Sequence, residues 1–296
     1  MSDYIEQFKT YLLKERKMSE NSLQAYYRDV MEYNRFLDEK QAGDLKDTSN
    51  TEIVSFVLKL KNDGKSSATV NRKVASLRAF YNFMVEKEYV SVNPVANIKS
   101  PKIERKELEY LTIEEVEHLL SLPDDSVKGK RDRAILEIMY ATGIRVSEII
   151  ETKVSDINLR MGFITCTGEH GKARIIPMGR PARAAVEAYI YETRDQLLKK
   201  SQAEEEALFL NYFGEKLTRQ GLWKILKEYA ADAGFESKIT PQTLRNSFAV
   251  HMIQNGADLK SLQELLGHED ITATQIYLSV TKNRIKDVYD KSHPRA

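Results

Sequence analysis

The sequence is almost without cysteine, since Cys166 is the only one among 296 residues. A single thiol excludes an intrachain disulfide and fits a reducing cytosol. Residues 1–17 are charged and amphipathic rather than apolar like a signal peptide, and no apolar run reaches the length that a membrane span needs. These absences exclude a disulfide-stabilised secreted domain and a membrane-spanning protein. We therefore expect a cytoplasmic protein with no membrane partner.

The sequence also lacks a marked net charge. Its 45 basic residues nearly balance 44 acidic ones, which leaves a net charge of +1. This value neither indicates nor excludes a nucleic-acid partner, so the local distribution of charge must decide. With 42% hydrophobic and 30% charged residues the composition is that of a folded protein, and the length predicts two domains.

Helical periodicity runs through the first hundred residues. Apolar positions recur at helical spacing in segments near 3–17, 20–39 and 51–62, and again from Ser66 or Ser67 onward. This pattern predicts a bundle of four or five helices without a strand. From about residue 92 two prolines and several lysines predict a basic interdomain linker, with the domain boundary near Lys106.

Residues 61–106 hold a local excess of positive charge, with 10 Lys and Arg side chains against four Asp and Glu. Such an excess attracts a phosphate backbone, although the same charges also suit a solvated helix face. The candidate DNA contacts are Lys65, Arg72, Lys73, Arg78 and Lys102.

Arg145 follows directly on a predicted helix end at Thr142-Gly143 and opens the next predicted helix. A guanidinium group at such a break can point into a cavity beside free amide groups, which suits an anion. Glu148, three residues later, is close enough to hold the guanidinium plane. The plainer alternative is a surface Arg–Glu pair.

Three short β-type runs at 154–157, 162–167 and 173–178 predict a small antiparallel sheet. Lys172 lies at the tip of its second hairpin, where it either reaches into a groove or is an ordinary exposed lysine. Cys166, Glu169 and His170 lie nearby, but their spacing does not match a tetrahedral site. We therefore predict no metal ion.

Residues 240–277 predict three short helices separated by tight stops. Thr240-Pro241 begins the first, Asp258 caps the second, and Thr272 begins a third that carries Tyr277. Polar groups at the joints between such helices can converge on one ligand. The candidate site residues of this stretch are Gln242, Arg245, His268 and Tyr277.

These residue types suit phosphodiester chemistry. Two arginines can hold the non-bridging oxygens and stabilise the charge of the transition state. A tyrosine becomes a nucleophile when cations and a proton acceptor surround it, and a lysine on a flexible tip can protonate the leaving oxygen. No carboxylate cluster for magnesium accompanies the set. The chemistry implied is transesterification without a metal or other cofactor.

In this order the motifs resemble the tyrosine recombinases over essentially the whole chain, and among them the bacterial Xer recombinases. The matching text is ATGIRVSE around Arg145, GKAR with Lys172, TPQTLRNSFA with Arg245, NGADLKSLQELLGHEDITATQIY with His268 and Tyr277, and the terminal SHPRA.

The resemblance implies a mainly α fold. A helical, SAM-like core-binding domain would occupy residues 1–106, and an α-rich catalytic domain with the small sheet would occupy 107–296, the two forming a C-shaped clamp on DNA. It further implies a synapse of two DNA sites and four protomers, of this chain alone or with a paralogue, in which the C-terminal segment docks on a neighbour. Strand exchange would pass through a Holliday junction, and a septal DNA translocase is a possible activator.

The resemblance also implies a role for each candidate residue. Carried over to this sequence, Arg145 and Arg245 bind the scissile phosphate, Lys172 protonates the leaving oxygen, Tyr277 attacks, His268 hydrogen-bonds the phosphate, and Glu148 supports Arg145.

Gln242 departs from the family pattern, which usually has histidine there, and Asn246 stands where Xer members commonly have a second one. An amide can donate to phosphate but cannot take a proton from Tyr277 near neutral pH. We expect phosphate binding to be retained and cleavage to be slowed.

The leading hypothesis is a recombinase that resolves chromosome dimers at cell division. The ending SHPRA and the lack of an additional N-terminal arm-binding module favour it over a mobile-element integrase. A cleavage-impaired DNA-binding partner is the alternative that Gln242 supports.

Overall fold

The computed structural model describes residues 3–99, 107–168, 171–199, 205–235 and 239–278. The chain divides into two compact units, Met1–Lys106 and Glu107–Ala296. Each unit has its own buried apolar core. Helices dominate the described residues and one small sheet accompanies them, so the predicted mainly α fold is confirmed.

The N-terminal unit contains four α-helices and a single 3₁₀ turn at Leu45–Asp47 among its described residues. The helices are α1 (Asp3–Lys14), α2 (Glu20–Lys40), α3 (Asn50–Asn62) and α4 (Ser67–Glu86). The third begins one residue before the predicted Thr51, because Ser49 and Glu52 form a capping box around its first turn.

Aromatic side chains fill the core of this unit. Phe8, Tyr33, Phe56 and Phe80 are all fully buried or nearly so. The predicted polar loop between α2 and α3 contributes to the same core, since Leu45 is buried and its carbonyl accepts a hydrogen bond from the Tyr81 hydroxyl at 2.9 Å.

The segment predicted as a linker from about residue 92 belongs to the N-terminal unit as far as Ile98. Val95 is buried in the core of the unit, and Nη2 of Arg78 donates to the Ile98 carbonyl at 2.9 Å. Asn93 holds the turn, because its Oδ1 accepts from the Val95 amide at 2.8 Å. The predicted linker therefore does not begin at residue 92; its part from residue 100 to Lys106 lies outside the described residues.

The C-terminal unit is built around α6 (Val127–Thr142), in which Ile135, Leu136, Ile138 and Met139 are buried. A π-helical stretch, Tyr189–Arg194, joins α8 to α9. The helices of this unit are α5 (Ile113–Ser121), α6 (Val127–Thr142), α7 (Val146–Glu151), α8 (Arg180–Ala188), α9 (Asp195–Leu198), α10 (Arg219–Asp232), α11 (Pro241–Gln254), α12 (Leu259–Leu266) and α13 (Thr272–Gln275).

The sheet is antiparallel, in the order β1 (Ile157–Asn158), β2 (Phe163–Thr167) and β3 (Ala173–Pro177). The prediction of a strand at 154–157 is wrong except for its last residue. Val154–Asp156 is a 3₁₀ turn in which Asp156 accepts a hydrogen bond from the Lys153 amide, so these residues make no ladder. The β2–β3 hairpin is as predicted, with Cys166 paired to Arg174.

No helix in the described ranges is both long and apolar enough to cross a membrane.

Candidate active site

The C-terminal end of α12 binds three arginine side chains through three consecutive carbonyl groups. The last carbonyls of a helix have no partner within the helix and lie at the negative end of its dipole, so they favour cations. The three bonds run from Arg174 Nε to Leu265 O at 2.8 Å, from Arg245 Nη2 to Leu266 O at 2.7 Å and from Arg145 Nη2 to Gly267 O at 2.7 Å. One helix end therefore gathers three guanidinium groups that are far apart in sequence.

Arg145 is placed by the break between α6 and α7. The first helix ends at Gly143, whose φ of +58° is left-handed, and Arg145 is the residue before the first turn of the second. Glu148 holds it twice, because one carboxylate oxygen accepts from the Arg145 amide at 2.9 Å and the other from Nη1 at 3.0 Å. Both the backbone and the guanidinium plane of Arg145 are thus fixed by one side chain.

Arg174 is a site residue that the sequence analysis did not single out. Its Nη1 and Nη2 donate to the two oxygens of Glu148 at 2.7 and 2.8 Å, a forked ion pair. The available signal was its position two residues after Lys172, since alternate residues of a strand share a face.

Glu148 is buried but stays ionised. Burial alone would raise the pKa of its carboxyl, but the hydrogen bonds and charges of Arg174 and Arg145 outweigh burial and lower that pKa to about 2. The carboxylate is therefore a permanent negative charge shared by two guanidinium groups.

Arg245 lies in the first turns of α11 and is only 5% exposed. It donates through Nη1 to the Gly143 carbonyl and through Nη2 to Nε2 of His268, the latter at 3.0 Å. Burial, and then the charge of Arg145, lowers the pKa of Arg245 to about 10, so it remains a cation at neutral pH.

His268 is the neutral tautomer with its proton on Nδ1. Arginine has only donors, so Nε2 of His268 must accept from Arg245, and Nδ1 then donates to Thr274 Oγ1 at 2.8 Å. Burial, followed by the charges of Arg245, Arg145 and Arg174, lowers the pKa of His268 to about 4. The ring is therefore uncharged at neutral pH.

Tyr277 lies two residues after Gln275, the last residue of α13. The sequence had predicted it within this third helix. Its amide donates to the Thr274 carbonyl, three residues back, at 3.2 Å, which makes a tight turn after α13. The side chain is 3% exposed and packs with Phe248, Leu262 and Leu266. Burial raises the pKa of the Tyr277 phenol, against the lowering effect of Arg245 and Arg145.

Two amide side chains of α11 lie beside the phenol. Asn246 Oδ1 accepts from the Tyr277 hydroxyl at 3.3 Å and from Gln242 Nε2 at 2.9 Å. Asn246 Nδ2 donates to the Glu109 carbonyl at 2.8 Å, which orients the amide. In this arrangement the tyrosine proton meets an amide oxygen and not a base.

A cavity of about 890 Å³ opens beside these groups. Arg145, Glu148, Lys172, Arg174 and His268 are among the residues that line it. Lys172 is exposed, immediately before β3. Buried Arg245 borders the cavity through its bond to His268. The structure thus places Arg145, Lys172 and His268 along the cavity and Arg245 behind His268. Tyr277 is not among the lining residues; its phenol lies within the electrostatic reach of Arg245 and Arg145, and Gln242 is connected to it through Asn246.

Within the described residues, no three His, Cys, Asp or Glu side chains form a cluster that could hold a metal ion. Cys166 is buried on β2, and burial raises the pKa of its thiol to about 12. Glu169 and His170, the other two residues of the metal hypothesis, lie outside the described residues.

The candidate DNA contacts of the N-terminal unit differ in exposure. Lys65 is exposed and the Arg72 side chain is 45% exposed, although Arg72 also pairs with Asp29. Lys73 does not belong with them: it is 5% exposed and its Nζ binds Asp29 at 3.1 Å and Glu32 at 2.7 Å. The positive charge of Lys73 is balanced by these two carboxylates within the helical unit. Lys102 lies outside the described residues.

Two family descriptions match the chain. Residues 109–284 match the one described as "Phage integrase family", and residues 5–88 match "Phage integrase, N-terminal SAM-like domain". Proteins named tyrosine recombinase XerD are similar over the full length. That of Oceanobacillus iheyensis is 45% identical over 99% of this chain and 98% of its own, and that of Staphylococcus haemolyticus is 40% identical over 100% of both.

Solved structures of recombinases share the fold. A XerH site-specific recombinase bound to a palindromic difH substrate has a TM-score of 0.76 at 22% identity, covering 96% of this chain and 83% of that one. A lambda integrase dimer bound to a COC′ core site has a TM-score of 0.74 at 19% identity, covering 94% of both chains.

The chain therefore belongs to the phage integrase family, the tyrosine recombinases, and the predicted enzyme class is confirmed. Within that family it is similar over its whole length to the XerD recombinases of several bacteria.

Proposed function

We propose that the chain is a site-specific DNA recombinase that cuts and rejoins strands through a 3′-phosphotyrosyl bond at Tyr277. The observation that carries the proposal is the convergence of Arg145 and Arg245 on the adjacent carbonyls of Leu266 and Gly267. Two cations held this close to a buried phenol suit a single phosphodiester group.

Arg145 is the better placed of the two arginines to meet the phosphate first. Its described bonds to Glu148 and Gly267 use two of the five N–H groups of a guanidinium, and it lines the cavity. Arg245 completes the charge from the buried side. His268 holds Arg245 there through Nε2, and because its one proton is donated to Thr274, a hydrogen bond from His268 to the phosphate requires that this pairing be exchanged when DNA binds.

The cleavage step is a transesterification. The Tyr277 oxygen forms a bond to phosphorus, the bond from phosphorus to the 5′ oxygen breaks, and Lys172 gives a proton to that oxygen as it leaves. The phenolic proton passes to water, because the neighbouring amides of Gln242 and Asn246 cannot accept it. Reversal with a 5′ hydroxyl from a second duplex rejoins the strands.

The substrate is double-stranded DNA carrying a recombination site. The protein assembles there as a tetramer, of itself or with a paralogue; the C-terminal segment expected to dock on a neighbour lies outside the described residues. The full-length similarity to XerD recombinases supports a cytoplasmic role in resolving chromosome dimers at cell division. A septal DNA translocase as activator is proposed from the family resemblance alone.

A second candidate function is DNA binding with impaired cleavage. The hydrogen bond from Tyr277 to Asn246, with Gln242 on the same oxygen, favours it, because among the described residues the phenol is bonded to an amide and not to a base. Such a protein would build the synapse while a paralogous partner cuts.

A suicide DNA duplex, nicked so that cleavage cannot be reversed, tests the proposal. The half-site is found first by footprinting on chromosomal DNA, which also separates a chromosomal site from one carried by a mobile element. The native chain then forms a covalent adduct with the duplex, and Tyr277→Phe forms none. Strong binding without an adduct, unchanged by Tyr277→Phe, would select the binding function.

A further inference from the structure

Arg174 connects three elements of the C-terminal unit through one guanidinium group. It extends from β3, forks onto Glu148 in α7, and binds the Leu265 carbonyl at the end of α12. Its side chain is 14% exposed, and Glu148 is 5% exposed. Most of the bond is therefore shielded from water, so its geometry is held more firmly than that of a surface pair.

Glu148 is the point where Arg174 meets Arg145. One carboxylate oxygen accepts from Nη1 of both arginines, at 3.0 Å from Arg145 and 2.7 Å from Arg174. A displacement of Arg174 would release half of the contacts that orient Glu148.

Lys172 directly precedes the strand that carries Arg174. The Gly168 amide donates to the Lys172 carbonyl at 3.0 Å, which continues the β2–β3 ladder to Lys172. Residues two apart on an extended strand point to the same side, and both side chains line the cavity. The contacts that hold Arg174 therefore also fix the backbone position of Lys172.

Gly267 leaves room for the guanidinium group of Arg174 because it has no side chain. A Cβ atom at this position would lie 2.9 Å from Arg174 Nη1 and 3.0 Å from its Cζ. The same residue gives its carbonyl to Arg145. The end of α12 is thus shaped around both guanidinium groups.

We infer that Arg174 is a positioning residue that sets Lys172, the general acid, at a fixed place relative to Arg145 and the phosphate it binds. This inference rests on the proposed function. Arg174 is neutralised by Glu148 and does not itself need to touch DNA. Without Arg174, Lys172 would still be present, but its hairpin would no longer be bonded to α7 and α12. Lys172 would then lose its fixed position, and protonation of the leaving oxygen would fail.

The experiment compares two suicide duplexes that differ in one atom, the bridging 5′ oxygen or sulfur at the scissile phosphate. A thiol has a pKa of about 8.5, so a leaving thiolate needs no proton from Lys172. Single-turnover adduct formation is measured for the native chain, Lys172→Ala, Arg145→Lys and Arg174→Lys. Arg174→Lys keeps the positive charge but cannot make the two parallel hydrogen bonds to Glu148.

Arg174→Lys should cleave the oxygen duplex about 10²-fold more slowly than the native chain, the scale of a small misplacement of a catalytic group. On the sulfur duplex it should recover nearly the native rate, as Lys172→Ala does. Arg145→Lys should stay slow on both. An equal deficit of Arg174→Lys on both duplexes, or no deficit on either, would overturn the inference.

Two controls separate this result from other failures. Arg160→Lys makes the same change at an exposed turn of the same sheet and should cleave both duplexes at the native rate. If Arg174→Lys does not fold, Arg174→Gln, which leaves Glu148 to hold Arg145, takes its place under the same criterion. Absence of a Tyr277-dependent adduct with the native chain would instead overturn the proposed function itself.

Discussion

The hydroxyl of Tyr277 donates to Oδ1 of Asn246 at 3.3 Å, and Gln242 donates to the same oxygen. A carboxamide oxygen orients a phenol but does not remove its proton. The resemblance to the tyrosine recombinases had led us to expect histidines at these two positions of the helix. The described state therefore holds the Tyr277 phenol protonated, in a buried place that further raises its pKa.

We predict that Gln242→His accelerates cleavage of the suicide duplex. An imidazole there can accept the phenolic proton, and a positioned base contributes about 10² to 10⁴ in rate. The gain should grow as the pH rises through about 6.5, where histidine loses its proton. Single-turnover rates between pH 5.5 and 8.5 give the measurement.

The matched control is Gln242→Leu, which has a similar size and no hydrogen-bonding group. It should leave the pH profile of the native chain unchanged. Equal rates for the native chain and Gln242→His across the whole range would mean that the role of the histidine is filled elsewhere or is unnecessary.

Glu148 makes stability depend on acid pH. Its folded pKa of about 2 lies below the unfolded value, so its contribution is complete above about pH 5 and is lost as the pH falls toward 2. The shift corresponds to about 3 kcal/mol. Glu148→Gln should therefore lower the free energy of unfolding by about this amount at pH 7, and the difference from the native chain should shrink steadily as the pH falls from 5 to 3.

Urea unfolding at a series of pH values measures this difference. Glu187→Gln, an exposed site on α8, should track the native chain throughout. A difference between Glu148→Gln and the native chain that stays constant from pH 7 to 3 would show that the carboxylate does not gain its stability from the two arginines.

Gly267→Ala should disturb the arginine cluster beyond its cost to the backbone. The residue has a φ of +62°, which costs an L side chain about 1 kcal/mol, and the new methyl group would also meet Arg174. Gly234→Ala, at a φ of +73° with open space around its Cβ, isolates the backbone cost. We expect Gly267→Ala to be the less stable of the two and to cleave the oxygen duplex more slowly. Equal melting temperatures and equal cleavage would argue against close packing at Arg174.

Local signals in the sequence predicted the helices that carry the site. Thr240 accepts a hydrogen bond from the Thr243 amide, Asp258 accepts from two amides of α12, and Gly267 ends that helix in the left-handed region. Each of these capping contacts involves residues within one helical turn, so the local sequence is enough to predict it. The meeting of Arg145 and Arg245 at the end of α12 has no such local sign, and the expectation that they act together came from the resemblance to the tyrosine recombinases.

Contacts between distant residues were beyond the sequence. Arg174 gains its importance from Glu148, 26 residues earlier in the chain, and no local pattern announces that pair. The strand predicted at 154–157 is wrong because of a local contact. The Asp156 carboxylate accepts a hydrogen bond from the Lys153 amide and closes a 3₁₀ turn, so Val154–Asp156 cannot pair with a neighbouring strand. The count of basic and acidic residues in 61–106 has a similar limit, because it does not show which charges pair with each other in the fold.

Lys65 and Lys73 give a direct test of that last point. Lys65 is exposed at the start of the basic stretch, whereas Lys73 is buried between Asp29 and Glu32. Under the proposed function, Lys65→Met should weaken DNA binding and reduce the slope of log K against log salt by about 1, the loss of one phosphate contact. Lys73→Met should leave that slope unchanged but lower the free energy of unfolding by about 3 kcal/mol, because it removes one partner of a buried ion pair. Binding titrations at several salt concentrations, paired with urea unfolding, distinguish the two effects. A reduced salt slope for Lys73→Met would mean that this lysine leaves its carboxylates to meet the phosphate backbone, and the sequence assignment would then be restored.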